Sequence, residues 1–301
     1  MLSDLPPATP LPAALPAWRG LPVLAGMFAA AAFVSMDSVI KLMAPRYDAL
    51  QLSFFRFAGG SMFAVLLWLW HRSPLPIGAA WRLHFTRTLF LLVSLVGYFH
   101  ALTILPLVQA VTISYLAPIF VSVLAIPVLK ERPAGPVWWA LAMGLVGVSV
   151  STVPELRASL AGTDPSRLLG IASAAVAAFS FAFVMLLSRR QARIDSPWTI
   201  LLVQNLLALF ALTAPAALTW KPMAPADFAL VGLAGALGTV GLLSLNYAFT
   251  HLEASRAAPL EYSSFVWAAV LGYLLFGEVP TASTALSAVL IVAGCLLLVR
   301  R

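Results

Sequence analysis

The sequence predicts an all-α membrane protein, with ten transmembrane helices arranged as two inverted five-helix repeats. Two observations carry that fold class. The first is composition: the 301 residues are 61% hydrophobic and only 10% charged, with a mean hydropathy of +0.96. Soluble domains hold about 25% charged residues. The second is an internal repeat. Slid by 147 positions without a gap, Ala101 falls on Ala248, Thr103 on Thr250, Leu105 on Leu252, Ala110 on Ala257 and Tyr115 on Tyr262. In the same register Leu124 meets Leu271, Glu131 meets Glu278, Pro133 meets Pro280 and Gly147 meets Gly294. A duplicated hydrophobic half points to a membrane carrier whose site lies between the repeats near the bilayer midplane.

The elements follow in order. Residues 1–19 are Pro-rich with a single Arg at the end; they lack the basic start and small-residue cleavage site of a signal peptide, so a disordered cytoplasmic tail is expected. Ten apolar segments come next, at roughly 21–43, 50–70, 85–105, 108–128, 136–153, 168–188, 197–217, 228–249, 254–276 and 280–299. Each is long enough to span ~30 Å of hydrocarbon. The first repeat is residues 20–153 and the second 168–299, with connections too short for a soluble domain. Cys295 stands alone, so neither an intramolecular disulfide nor a cysteine metal site can form.

The net charge of +7 is a matter of topology, not of nucleic-acid binding. With the N-terminus in the cytoplasm, that side collects Arg19, Arg72, Arg82, Arg87, Lys130, Arg132, Arg189, Arg190, Arg193, Arg256, Arg300 and Arg301, which is 12 of the 18 basic residues. The bias places both termini inside. Five helices per repeat is an odd number, so the halves must enter the bilayer in opposite directions. Lys130-Glu131-Arg132 is then cytoplasmic, while its mate Gly277-Glu278-Val279 faces outward without its basic residues.

Ionisable groups at membrane depth cost several kcal/mol and are candidates for function. Glu261 is the clearest, about four residues or roughly 6 Å from the middle of the ninth segment. It could receive a substrate ammonium, exchange a proton for substrate, or anchor a neighbouring helix. Pro259, two residues earlier, frees a carbonyl one turn back. Asp37 and Lys41 lie four apart and can pair with each other, and Lys41 can also snorkel outward. Arg56, among the phenylalanines of Ser53-Phe54-Phe55-Arg56-Phe57, suits a substrate carboxylate held by two parallel hydrogen bonds, or pairing with Asp37 or Asp48. The repeat mates near it are Gln204 and Asn205, polar but uncharged. Aromatic and hydrogen-bonding groups recur at matched depth: Tyr98, His100, Gln109, Ser114 and Tyr115 in one half, Asn246, Tyr247 and Tyr262 in the other. All are candidates for the site between the repeats. His100 could relay protons or simply pack. Gly232, Gly235, Gly238 and Gly241 recur every third residue, letting neighbouring helices approach closely or slide. Glu131 and Glu278, at equivalent helix ends in opposite leaflets, suit gating or structural roles.

The motifs occur twice. The first copy reads Ala101-Leu102-Thr103-Ile104-Leu105-Pro106, then Tyr115-Leu116-Ala117-Pro118, then Leu129-Lys130-Glu131-Arg132; the second reads Ala248-Phe249-Thr250-His251-Leu252-Glu253, then Pro259-Leu260-Glu261-Tyr262, then Leu274-Leu275-Phe276-Gly277-Glu278. In this the chain resembles the drug/metabolite transporter superfamily, in its ten-helix EamA-type branch, over residues 20 to 299. Phe265 stands where the first copy has Pro118, so any break in the two helices is not symmetric. The resemblance implies a carrier and, by analogy with bacterial exporters of aromatic amino acids and threonine, amino acids moved outward across an inner membrane.

Other functions fit less well. His71, His84, His100 and His251 are scattered, and HExxH, GxSxG and P-loop motifs are absent from the sequence, which argues against an enzyme or a nucleotide-driven pump. No segment resembles a selectivity filter. No cofactor or metal is expected; the partners are a small-molecule substrate and the lipid bilayer, with protons a candidate coupling ion. The rival cargoes are organic cations and nucleotide-linked metabolites; an organic cation would need an acid without a cationic partner, which means Glu261 alone. A zwitterion would use Glu261 together with Arg56 or Lys41, and the sequence offers both signs of charge.

Overall fold

A computed structural model describes residues 20–130, 135–161 and 165–279, with isolated positions from 282 to 293. The 1–19 tail, most of the 280–299 segment, Glu131 and Cys295 lie outside the described residues. The helices are α1 (Leu21–Met43), α2 (Ala49–His71), α3 (Ala80–Ile104), α4 (Leu107–Ser114), α5 (Leu116–Leu129), α6 (Gly135–Ala161), α7 (Pro165–Gln191), α8 (Pro197–Leu218), α9 (Asp227–His251), α10 (Ala254–Ala257) and α11 (Ser264–Phe276), the last two joined by a 3-10 turn, Ala258–Ser263. Among the described residues there is no strand. Within the described residues, seven helical stretches are long and apolar enough to cross a membrane, and two shorter apolar ones accompany them. Large apolar side chains such as Trp70, Ile77, Phe210 and Leu218 stand on the outer surface, where lipid would cover them and satisfied helical backbone is required.

Local chemistry sets the boundaries. Asp48 caps α2 by accepting from the Gln51 backbone N–H at 2.9 Å. Ser196 does the same for α8 from Thr199, with Pro197 at the first helical position. The segment read from sequence as continuous at 108–128 is two helices with a turn at Tyr115. Pro118 is the cause: its ring opposes the carbonyl four residues back, at Ser114, where α4 ends. The second copy breaks differently, by the 3-10 turn that contains Pro259. The mates Lys130 and Gly277 end α5 and α11 in the same left-handed conformation, φ 58° and 68°, a turn that only glycine adopts freely.

Packing makes the repeat visible in space. α1 lies along α9 and α3 along α7; exchanging the halves turns one contact into the other, and likewise α5–α7 into α11–α1. α2 packs on its own mate α8. Gln51, at the start of α2, donates to the Lys221 carbonyl beyond the end of α8 at 2.6 Å, and Thr199, at the start of α8, donates to the Pro74 carbonyl beyond the end of α2 at 2.7 Å. The two mates therefore run antiparallel. α2 also packs closely on α9, whereas the corresponding α8 and α3 touch much less.

Candidate functional site

The two interrupted helices meet at the centre. Tyr115 and its mate Tyr262 bring their rings to 5.2 Å. The Tyr115 hydroxyl lies 3.0 Å from Ser264 Oγ and donates to the Tyr262 carbonyl at 3.4 Å. Tyr262 fits because α6 presents Gly144 beneath its ring, where a Cβ would come within 2.3 Å. One large cavity opens beside this crossing, with about 1140 Å³ of empty space including its mouth. Its wall is drawn from matched positions of both halves, such as Ser114 with Glu261, Phe57 with Gln204 and Tyr98 with Leu245.

The charged groups on that wall are Asp37 from α1, Arg56 from α2, Arg87 from α3 and Glu261 from the 3-10 turn. Asp37 lies beside Tyr98 and near the charges of Arg56 and Glu261. Arg56 is buried, donates from Nη1 to Asn205 Oδ1 at 3.3 Å and lies 4.8 Å from the Phe57 ring centre. Gly60 and Gly238 make room for it; a Cβ on Gly238 would stand 2.8 Å from Arg56 Nη2. The Glu261 carboxyl makes no hydrogen bond or ion pair with any described residue, although its carbonyl accepts from Ser264 Oγ. Gln204 Oε1, also on the wall and buried, has no partner among the described residues. Such a wall can hold a ligand carrying both signs of charge, with Tyr98, Ser114 and Tyr115 supplying hydroxyls.

The remaining sequence candidates stand elsewhere. Lys41 pairs not with Asp37 but with Glu278, at 3.6 Å, and donates to the Leu105 carbonyl at 3.2 Å, so it closes one end of the bundle and is off the cavity wall. Asn205 supports Arg56 and donates to the Leu201 carbonyl. His100 lies 3.3 Å from Ser173 Oγ, and Gln109 is half-buried on α4 away from the wall. Asn246 and Tyr247 line a separate pocket between the start of α8 and the end of α9. Of the four repeated glycines, Gly235 meets the Gly59 backbone, Gly238 meets Arg56, Gly241 meets Phe33, and Gly232 faces open space. Sequence reasoning missed Arg87 and the α7 wall, Met185 and Ser188 among it. The signal for Arg87 was present: α3 starts at Ala80, not 85, which puts this arginine two turns inside the helix.

A duplicated, antiparallel bundle of apolar helices around one two-signed cavity has the architecture of a membrane transporter. The EamA-like transporter family matches residues 20–153 and again 168–300, and the chain belongs to that family. It is similar to the S-adenosylmethionine uptake transporter of Rickettsia conorii, 24% identical over 263 residues covering 87% of each chain. It is also similar to the pseudopaline exporter CntI of Pseudomonas aeruginosa, 29% identical over 282 residues covering 92% of this chain and 95% of the relative. A solved crystal structure superposes with TM-score 0.71 at 19% identity, over 92% of this chain and 95% of that one; the likeness shows the fold. Family and relatives are transporters and not enzymes.

Proposed function

We propose that the protein carries small zwitterionic metabolites, amino acids foremost, by alternating access around the central cavity. The observation that carries this reading is the coexistence on one buried wall of Arg56 and of Glu261, whose carboxyl has no partner among the described residues. Glu261, assisted by Asp37, receives the ammonium; Arg56 takes the carboxylate in the fork geometry its guanidinium favours. Gln204, Ser114, Tyr98 and Tyr115 orient the remainder. We place the protein in the inner membrane with ten spans and both termini cytoplasmic, following the distribution of basic residues. The cavity then faces the cytoplasm and loads for export, with protons as the candidate coupling ion.

The reading is tested in liposomes holding purified protein, with labelled amino acids, organic cations and a nucleotide sugar. Glu261→Gln keeps shape and removes charge. Loss of a charge-assisted contact should weaken apparent amino-acid affinity roughly 10- to 150-fold, with protein yield unchanged because no buried charge is left uncompensated. Lower thermal stability with preserved affinity would make Glu261 an anchor. Failure of pH-driven net transport with exchange intact would make it the proton carrier. Uptake of organic cations alone, insensitive to Arg56→Gln, would replace the zwitterion reading by a cation carrier.

A further inference from the structure

Arg87 is a buried cation on the cavity wall that neither the sequence motifs nor the central site uses. It is 2% exposed, and its hydrogen bonds go to neutral acceptors: Nε to Ser188 Oγ at 2.8 Å and Nη1 to Gln191 Oε1 at 2.8 Å. Gln191 in turn engages His84, which bonds Asp195 at 3.0 Å. The nearest carboxylate along this chain is thus three hydrogen bonds away, and among the described residues no acid pairs with Arg87 itself. A guanidinium offers five donors; the remaining ones, the Nη2 pair included, make no bond to a described residue. Arg56, by contrast, has Asp37 near enough to feel its charge.

Position along α3 gives the second half of the argument. Tyr98, beside Asp37 and Glu261, is eleven residues beyond Arg87, about 16 Å along the helix axis. The ammonium and carboxylate of one α-amino acid lie only roughly 3 Å apart. One such molecule cannot engage both ends of the cavity. We propose that Arg87 is a second anion subsite, which binds a carboxylate on the distal arm of an elongated substrate whose ammonium sits at Glu261. The preferred cargo is then a metabolite with an α-amino acid head and a remote acidic group. This rests on the zwitterion reading above, and its test separates the two.

The test uses a ladder of α-amino dicarboxylic acids from aspartate to α-aminododecanedioate, whose extended chain of roughly 14 Å approaches the separation of the two ends, each paired with its ω-amide. Each competes for uptake of a labelled amino acid and is scored for thermal stabilisation of the purified protein. In the wild type the longest diacid should outcompete its amide roughly 10- to 150-fold, with little difference for aspartate. Arg87→Gln should bring that ratio close to one, and Arg87→Lys, which keeps charge but loses the fork, should lower it in part. The lysine variant carries the test if the glutamine variant fails to fold. A ratio near one in the wild type, a ratio that survives both substitutions, or no response to any member of the ladder would overturn the subsite. Glu261→Gln should weaken diacid and amide alike and leave the ratio intact. If it weakens neither while the ratio still depends on Arg87, the central reading fails and the subsite stands.

Discussion

At the seam between α2 and α9, Gly59 and Gly235 bring two backbones into direct contact: a Cβ on Gly235 would lie 2.2 Å from the Gly59 carbonyl carbon, and one on Gly59 2.3 Å from the Val231 oxygen. At the repeat-related seam between α8 and α3 the mates are Leu206 and Thr88, and those helices touch far less. The cavity extends from the central tyrosines toward that second seam, ending at Arg87 and Ser188. Polar groups reinforce the first seam: Tyr47 donates to Asp227 at 2.7 Å, Arg46 pairs with Asp227 at 2.8 Å, and Gln51 exchanges two hydrogen bonds with Lys221. The second end has its own set, His84, Asp195, Gln191 and Arg87, but it ties α3 chiefly to α7 and the loop after it. A common ancestral half has thus yielded one seam that shuts on bare backbone and one where the helices touch far less. In the alternating-access cycle proposed above, the two would exchange roles, and the glycine pair would set the depth of closure at one end.

Widening the closed seam should give the largest effect. Gly235→Leu places a side chain where only backbone lies, and neither helix can yield by rotating a rotamer. Overpacking of about 1–3 kcal/mol would shift the balance between closed and open seams roughly 5- to 150-fold. On a Cys295→Ala background, the buried position 53 carried as Ser53→Cys should then react faster with a membrane-impermeant thiol reagent, and net transport should fall with it. Unchanged labelling would mean that the glycine contact does not hold this end shut.

How much of this was legible in the sequence depended on what each signal encodes. The repeat placed Tyr115 and Tyr262 at equal depth, and the structure brings them into contact, because depth is what a sequence shift preserves. Depth carries no information about rotation around a helix. His100, Asn246 and Tyr247 share the depth of the site yet face away from it, and helices this uniformly apolar have no polar stripe from which to read a face. Arg87 was lost to a boundary: with the segment begun at 85 it sat at the membrane edge, and the true start at Ala80 moves it inside. Lys41 had two carboxyls within conceivable reach, one a turn away on its own helix and one, Glu278, far along the chain. The choice of Glu278 is a tertiary fact that local spacing does not contain.

The acid of the closed seam comes second in size. Asp227 is fully buried and serves both Arg46 and Tyr47. Asp227→Asn keeps the shape and loses the charge-assisted bonds. Removing one partner of a buried pair is costly when the other charge is stranded, but Arg46 is about half exposed at 46% and can turn to water. The expected loss is therefore nearer that of a hydrogen bond to a charged group, about 1.5–3 kcal/mol. Thermal unfolding in detergent reads it directly, and position 53 should gain reactivity less than in Gly235→Leu. A stability loss with no change in labelling would separate the polar set from the seam.

Tyr47→Phe makes the smallest change and the most specific one. The ring stays, packed edge-on to Phe55 at 5.2 Å, so apolar burial is kept. What disappears is one hydroxyl that donates to Asp227 at 2.7 Å and accepts from the Ala224 backbone N–H at 3.0 Å. Asp227 retains Arg46, and the Ala224 N–H lies in a loop at the end of the bundle where water can replace the lost acceptor. The stability cost should be about 0.5–1.5 kcal/mol, smaller than for Asp227→Asn. Because the hydroxyl joins the α1–α2 connection of one half to the α8–α9 loop of the other, its loss should act on the opening of that seam more than on folding. Exchange of substrate across the membrane should then speed up or slow down while affinity, measured by competition, stays constant. A changed affinity would mean that the seam and the cavity are coupled more tightly than their separation along α2 implies, and the two ends would have to be treated as one cooperative unit.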